Sequence, residues 1–407
     1  MSFLSQWIKI SLLNLFLVSF LGFVLRYKIV FALPFVDQRN LLHSHSHFAF
    51  VGWISQTLMI LLIYYLSARL GERIFTRYRF ILYANLISAY GMLVSFILQG
   101  YAFYSICFST LSVVAFCVFG VYFWKDLNRI SEKTVSRLWF RWSLIFGVIS
   151  NLGPFALAYM MYIKMVDQNW HLTSEYFFLH FQYNGWFLFA GLGLLMDLLT
   201  TRDIPSKRLY YAFYLFCAAC IPAYFLSILW LPFVGSIYFL LCAAVVAQLA
   251  GWFFIMESIF KNREILSRQF SRFAKVLFML SGIAFTIKLL LQTGSIHPQL
   301  SQLSYGFRPI IIGYLHLVLL GVTSIFIIGY IVSLKMITVS RSVVTGISIF
   351  VAGVIINELL LMIQGVAAMA YRVVPHIQIM LFGAAVILMI GLGTLFIGSL
   401  KSKQAPI

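Results

Sequence analysis

The eight histidines of this 407-residue chain are unevenly spent. Three fall in one short stretch, His43-Ser44-His45-Ser46-His47, directly before the apolar run Phe48-Ala49-Phe50-Val51-Gly52-Trp53. On a helix His43 and His47 share a face, the spacing that metalloproteins use to present two imidazoles to one ion. His45 points to the other side. His180, His316 and His376 also open or lie early in apolar runs. His43, His47, His180 and His376 therefore make a candidate metal set, with copper an ion that imidazole suits. The plainer alternative is a polar helix start at a membrane surface, with Ser44 and Ser46 capping it.

What must position these residues is set by composition. The chain is 62% apolar and only 10% charged, with a mean hydropathy of +0.96. A soluble chain of this length could not bury so much apolar surface, so lipid must solvate it. At roughly 20 residues per span, the runs predict twelve transmembrane helices: 9–32, 41–66, 80–99, 102–124, 139–163, 175–198, 208–230, 233–257, 273–293, 308–333, 343–364 and 374–399. The expected fold is an all-α polytopic membrane protein, one transmembrane domain over 1–407. The N-terminal run has no small-residue cleavage site and reads as a retained first span.

The formal charge of +18 does not imply nucleic acid as a partner. Its basic residues sit in the gaps between apolar runs, among them Arg77, Lys125, Arg202, Lys261 and Lys335, as the positive-inside rule describes. The basic-rich gaps alternate, which places both termini in the cytoplasm and the protein in the cytoplasmic (inner) membrane. All eight histidines then lie in its outer half. The five cysteines fall in apolar runs and outline no disulfide framework.

Three segments resemble one another: His47 with Gly52, His180 with Gly185 and His316 with Gly321. They recur at intervals close to a third of the chain, which predicts three repeats, 1–138, 139–272 and 273–407, forming three pseudo-symmetric four-helix arcs. Each histidine would lie early in the second helix of its repeat, on the order of 10 Å or less below the outer surface. At that depth a histidine faces protein, a cavity or a cofactor rather than lipid, and a hydrogen bond between helices is the plain alternative for His180 and His316. The glycine lies well round the helix from its histidine, so its expected role is close helix packing.

Twelve spans in three arcs, with histidines on helices two, six and ten near the outer face, resemble subunit I of the haem–copper oxidases and nitric oxide reductases. The His43-Ser44-His45-Ser46-His47 stretch with Gly52-Trp53 also resembles the His-x-His…Gly segment of the NnrS family of haem- and copper-containing proteins. The resemblance implies a haem between helices two and ten, with His47 and His316 as axial ligands and His45 as the competitor of His47. It also implies redox, electron-transfer or oxygen and nitric oxide chemistry, with a redox partner or another oxidase-like subunit. Helix ten has one histidine where the oxidases have two, and 208–230 has none where they hold copper. These departures argue against a proton-pumping terminal oxidase and leave oxidoreductase activity open.

Further polar groups stand out. Arg308, at the start of span ten, could pair a haem propionate or anchor the helix at the interface. Cys217 and Cys220 share a helix face, suited to a soft metal or to helix packing. Glu358 and Lys288 are deep charges in spans eleven and nine. With the histidines they support an alternative function, a proton-coupled twelve-span secondary transporter.

Overall fold

The computed structural model describes residues 3–231, 235–297, 300–301 and 307–401. Among them the apolar runs form helices and no strand: α1 (Phe3–Val30), α2 (Gln38–Leu70), α3 (Ile74–Gln99), α4 (Phe103–Leu127), α5 (Val135–Tyr162), α6 (168–200), α7 (Lys207–Cys220), α8 (Gly235–Lys261), α9 (Arg272–Gly294), α10 (Arg308–Ser333), α11 (Arg341–Met369) and α12 (Ile377–Leu400). Ten of these are long and apolar enough to cross a membrane, and α7 with the following turn Pro222–Ile228 makes an eleventh if that bent pair is one span. The chain is thus a multi-pass, all-helical protein of about ten membrane spans. The expected sixth span, α6, is continuously helical but falls outside the ten. Its first half carries Gln168, Asn169, His171, Glu175, His180, Gln182 and Asn184, which dilute its apolar character.

Helix ends follow local chemistry more than hydropathy. Asp37 caps α2, accepting the backbone N–H of Asn40 at 2.9 Å, so the helix begins at Gln38, ahead of the expected start at Leu41. Ser44 and Ser46 are not caps. Ser44 Oγ donates to the Leu93 carbonyl of α3 at 2.8 Å, and Ser46 Oγ donates to His43 O at 3.1 Å. Gly100 ends α3 at φ +64°, a left-handed conformation in which a side chain would also strike Asn40 Oδ1.

Contacts divide the chain into two compact units: Met1–Ile130 with Ser324–Ile407, and Ser131–Thr323. In the first, α2 is the enclosed element, its stretch Leu58–Ile63 wholly buried. Asp126 near the end of α4 is buried and pairs with Arg77 at 2.6 Å, Arg129 at 3.2 Å and the Tyr78 hydroxyl at 2.8 Å. The start of α3 and the end of α4 therefore meet, as an antiparallel pair requires. In the second unit Glu257 near the end of α8 likewise pairs with Arg208 at the start of α7, and also with Lys261 one turn on along α8. The core of that unit is aromatic, with Trp139, Phe146, Phe181, Phe189, Phe216 and Phe285 in one buried cluster.

Helices α11 and α12 touch backbone to backbone. A Cβ at Gly391 would lie 2.5 Å from Phe350 N, and one at Gly346 2.4 Å from Leu395 N. Small residues allow such an approach in lipid, where packing replaces the hydrophobic effect between helices. Gly391→Ala should cost about 1–3 kcal/mol through forced helix separation, seen as a lower unfolding temperature in detergent. Gly383→Ala, where a Cβ meets nothing within 4 Å, should leave that temperature unchanged.

Candidate functional site

Each of the three matched histidines stands immediately before a π-helical stretch: His47 before Phe48–Ser55, His180 before Phe181–Phe187, and His316 before Leu317–Ser324. π-helical turns are rare, occur mostly as single-turn bulges, and concentrate at functional sites. Here each contains the glycine of its segment, and each glycine is in tight contact. A Cβ on Gly185 would lie 2.5 Å from Phe146 Cβ on α5, one on Gly321 3.2 Å from Ala284 Cβ on α9, and one on Gly52 2.8 Å from the Phe48 ring.

Widened turns leave carbonyls without their ordinary i+4 donors, and neighbouring helices supply replacements. Asn14 Nδ2 on α1 donates to Gly52 O at 2.6 Å, and Tyr90 OH holds Asn14 Oδ1 at 2.8 Å. Asn85 Nδ2 on α3 reaches Val51 O at 3.3 Å and Gln56 Oε1 at 2.7 Å. Ser281 Oγ on α9 donates to Val322 O at 2.8 Å, and Thr323 Oγ1 donates to Val318 O at 2.9 Å. Sequence reasoning passed over Asn14, Gln56 and Asn85. Their signal was an amide in the middle of an apolar run.

The triplet splits as its spacing predicts. His43 and His47 face an aromatic group in the first unit: His47 stacks on Phe96 with centroids 4.5 Å apart, and the His43 ring meets Tyr101 edge-on at 4.7 Å. His47 Nε2 shares a hydrogen bond with the Tyr101 hydroxyl at 2.8 Å. His43 Nε2 is buried with no hydrogen-bond partner. His45 turns to α1, its Cε1 3.4 Å from where a Cβ of Gly22 would stand. His376, also in the first unit, is exposed at the head of α12 in a left-handed conformation, φ +57°.

In the second unit His180 is wholly buried. A carbonyl only accepts, so its Nε2–H donates to Cys220 O at 2.8 Å, while its Nδ1 accepts from Asn184 Nδ2 at 3.1 Å. Both ring nitrogens are thereby used, and none remains for an ion in this arrangement. His316 is half-buried, and its Nδ1–H donates to Ile312 O at 2.8 Å. In the neutral ring the lone pair is then on Nε2, the tautomer that backbone-oriented metal-ligating histidines adopt. Arg308 is exposed in the first turn of the same helix, ahead of Pro309.

Among the described residues no group of three or more His, Cys, Asp or Glu side chains is arranged to hold a metal ion. The set His43, His47, His180 and His376 is not brought together as a ligand cluster. For haem, His316 has the protonation pattern of an axial ligand. His47 lacks it as placed, because Tyr101 occupies its Nε2. No protein-family model matches the chain, and no curated protein matches it.

The bonds to the widened turns carry a test. Asn14→Leu leaves Gly52 O unanswered in an apolar surround and should lower stability by about 1–3 kcal/mol. Ser281→Ala should cost about 1 kcal/mol or less, within the range of interhelical hydrogen bonds in membranes. Thermal unfolding in one detergent gives both values.

Proposed function

We propose that the chain is a haem-binding protein of the cytoplasmic membrane, built as twelve spans in three four-helix repeats and akin to subunit I of the haem–copper oxidases without their copper site. The three histidines that each head a π-helical stretch support the repeats, with α6 as a polar sixth span and the bent α7 as the seventh. The observation that carries the haem reading is His316, half-buried and held in the Nδ1–H tautomer by Ile312 O, the form in which a histidine ligates through Nε2. His47, in the first unit, would offer its Nε2 to iron only with the Tyr101 hydroxyl off that nitrogen. Arg308 would meet a propionate. When bound, haem would supply an iron centre for electron transfer or for oxygen or nitric oxide, with electrons coming from a redox partner or a further oxidase-like subunit. The chain's own part would be to orient the imidazoles.

Purified wild-type protein should give a pyridine haemochrome spectrum, and His316→Ala should lose most of it. Tyr101→Phe should retain haem, because it removes the competitor for His47. A wild-type preparation free of iron and haem overturns the reading. A C-terminal reporter active only in the cytoplasm tests the orientation.

A proton-coupled transporter is the second reading. The observation in its favour is the break in α7, which bends by 48° between Lys207–Cys220 and Pro222–Ile228, since interrupted helices line transport sites. Solute-dependent proton uptake by proteoliposomes of haem-free protein would select it.

A further inference from the structure

The haem site as proposed does not use Glu358, and the setting of that residue is unusual for a carboxyl group. Glu358 lies about 25 Å from the start of α11 and about 16 Å from its end, at a rise of about 1.5 Å per residue. Lysine and arginine can carry their charge from such a depth to the interface along long apolar stems, but a glutamate stem is too short.

Nothing nearby neutralises it. From Ser342 to Leu400 the only side chains with a formal charge are Glu358 and Arg372, and Arg372 lies beyond the end of α11 at Met369. Helix α12, which packs along α11, has no charged residue from Ile377 to Leu400, and His376 at its head is exposed. Helix α1 packs on α12, with Phe23, Tyr27 and Phe31 against Phe382, and carries Arg26 and Lys28. Lys28 Nζ donates to Leu33 O at 2.6 Å. Among the described residues no ion pair involves Glu358, and its one hydrogen bond is accepted by Oε1 from Asn357 Nδ2 at 3.2 Å. An apolar medium without a counter-charge favours the neutral acid.

The carboxyl also stands at a margin. Val354 and Leu361, a turn away on one side of the helix, are buried, whereas Ile355 and Met362, a turn away on the other, are exposed. The exposed side continues through Leu359, Ile363 and Val366, an apolar strip of the kind that faces acyl chains, and Glu358 at its border is half-buried. Helices α11 and α12 run in a register that sets Gly346 against Leu395, Phe350 against Gly391 and Gly353 against Leu388. Continued by a turn, that register brings Glu358 level with Gly383, where an added Cβ would meet nothing within 4 Å. Helix α12 thus offers open space at that level.

We propose that Glu358 is a proton-binding site within the bilayer, a neutral carboxylic acid reached from the acyl-chain side and modified there by a lipid-soluble carbodiimide. The site uses residues of the first unit alone and stands whether or not haem is present. In the modification the acid gives its proton to one carbodiimide nitrogen while its oxygen bonds to the central carbon, forming an O-acylisourea. The acyl group then moves from that oxygen to the other nitrogen, breaking the ester C–O bond and forming a C–N bond. Nothing leaves, so the resulting N-acylurea is heavier than the acid by one whole reagent. Water would instead hydrolyse the O-acylisourea back to the acid, so a lasting adduct reports a dry carboxyl.

The test treats the full chain, reconstituted in phosphatidylcholine vesicles, with dicyclohexylcarbodiimide or with a cationic water-soluble carbodiimide, followed by peptide mapping by mass spectrometry. The lipid-soluble reagent should leave an adduct on Glu358 in most chains, more slowly as pH rises, because the reagent needs the acid's proton. The water-soluble reagent should reach exposed carboxyls such as Glu72 and Asp203 but not Glu358. Glu358→Gln keeps the shape and removes the acid, and it should lose that adduct. Labelling of Glu358 by the water-soluble reagent overturns the proposal, as does the absence of any lipid-soluble adduct there. Should the variant fail to fold, the map of the wild type decides alone, because fragment masses assign the modified residue directly.

Discussion

The rest of this fold depends on one rule: in an apolar medium every backbone N–H and C=O must find a partner inside the protein. An uninterrupted α-helix meets the rule by itself. This chain interrupts its helices repeatedly, with three π-helical stretches and the break after Cys220, and each interruption is answered by a side chain from elsewhere. Asn14 and Asn85 serve α2, Cys220 Sγ serves α6 through Asn184 O, Ser281 serves α10, and His180 serves α7. The polar residues within the spans are therefore the price of irregular backbone, and they fix which helices must be neighbours within each unit. An amide from α1 cannot reach Gly52 O unless α1 lies against the widened turn of α2.

The three matched histidines share a position in their helices but not their bonds. His47 meets a tyrosine hydroxyl, His180 spans a freed carbonyl and an amide, and His316 bonds the carbonyl one turn back on its own helix. A widened turn just after a histidine changes the direction in which the following residues face without moving the ring itself. One local device can thus carry three different chemistries. His180 has become structural in this arrangement because the interruption of α7 gives it a carbonyl to hold. His316 bonds through Nδ1 to a carbonyl of its own turn, so that bond ties it to no other helix.

Much of the fold was legible in the sequence because span length is a property of composition. Ten of the twelve apolar runs appear as uninterrupted or singly widened spans, and the rest follow from polar dilution in α6 and from Pro222 in α7. The pairing of histidine with a glycine five residues on was legible too, as was the packing role of that glycine. The π-helical geometry between them was not. It changes the hydrogen-bond register over two turns while leaving the apolar pattern intact, so hydropathy has nothing to detect. Asp37 was missed as the cap of α2 because the expected span began at the first apolar residue, Leu41, and the polar turn Gln38–Asn40 was left outside it. A carboxylate before three polar residues was the better local signal. Tyr101 lies beyond the end of α3, where spacing along α2 carries no information about it.

The two units carry their unpaired polar atoms differently. In the first, the orphans include Ser11 Oγ, Ser95 Oγ, His43 Nε2 and the amide oxygens of Gln38 and Gln378 near helix starts, while Asn14, Gln56 and Asn85 around α2 are bonded into a network. In the second, the orphans include an ammonium and amide oxygens, at Lys288, Gln292, Asn184 and Gln248. Hydroxyl orphans cost little, because a hydroxyl can rotate to a carbonyl of its own helix. An ammonium in the middle of a buried stripe has no such outlet, and a neutral residue of similar length would pack there at lower cost. A position that breaks this rule without local compensation is where selection for something other than stability shows itself. Among the described residues Lys288 is such a position, 1% exposed and with no hydrogen bond to its Nζ.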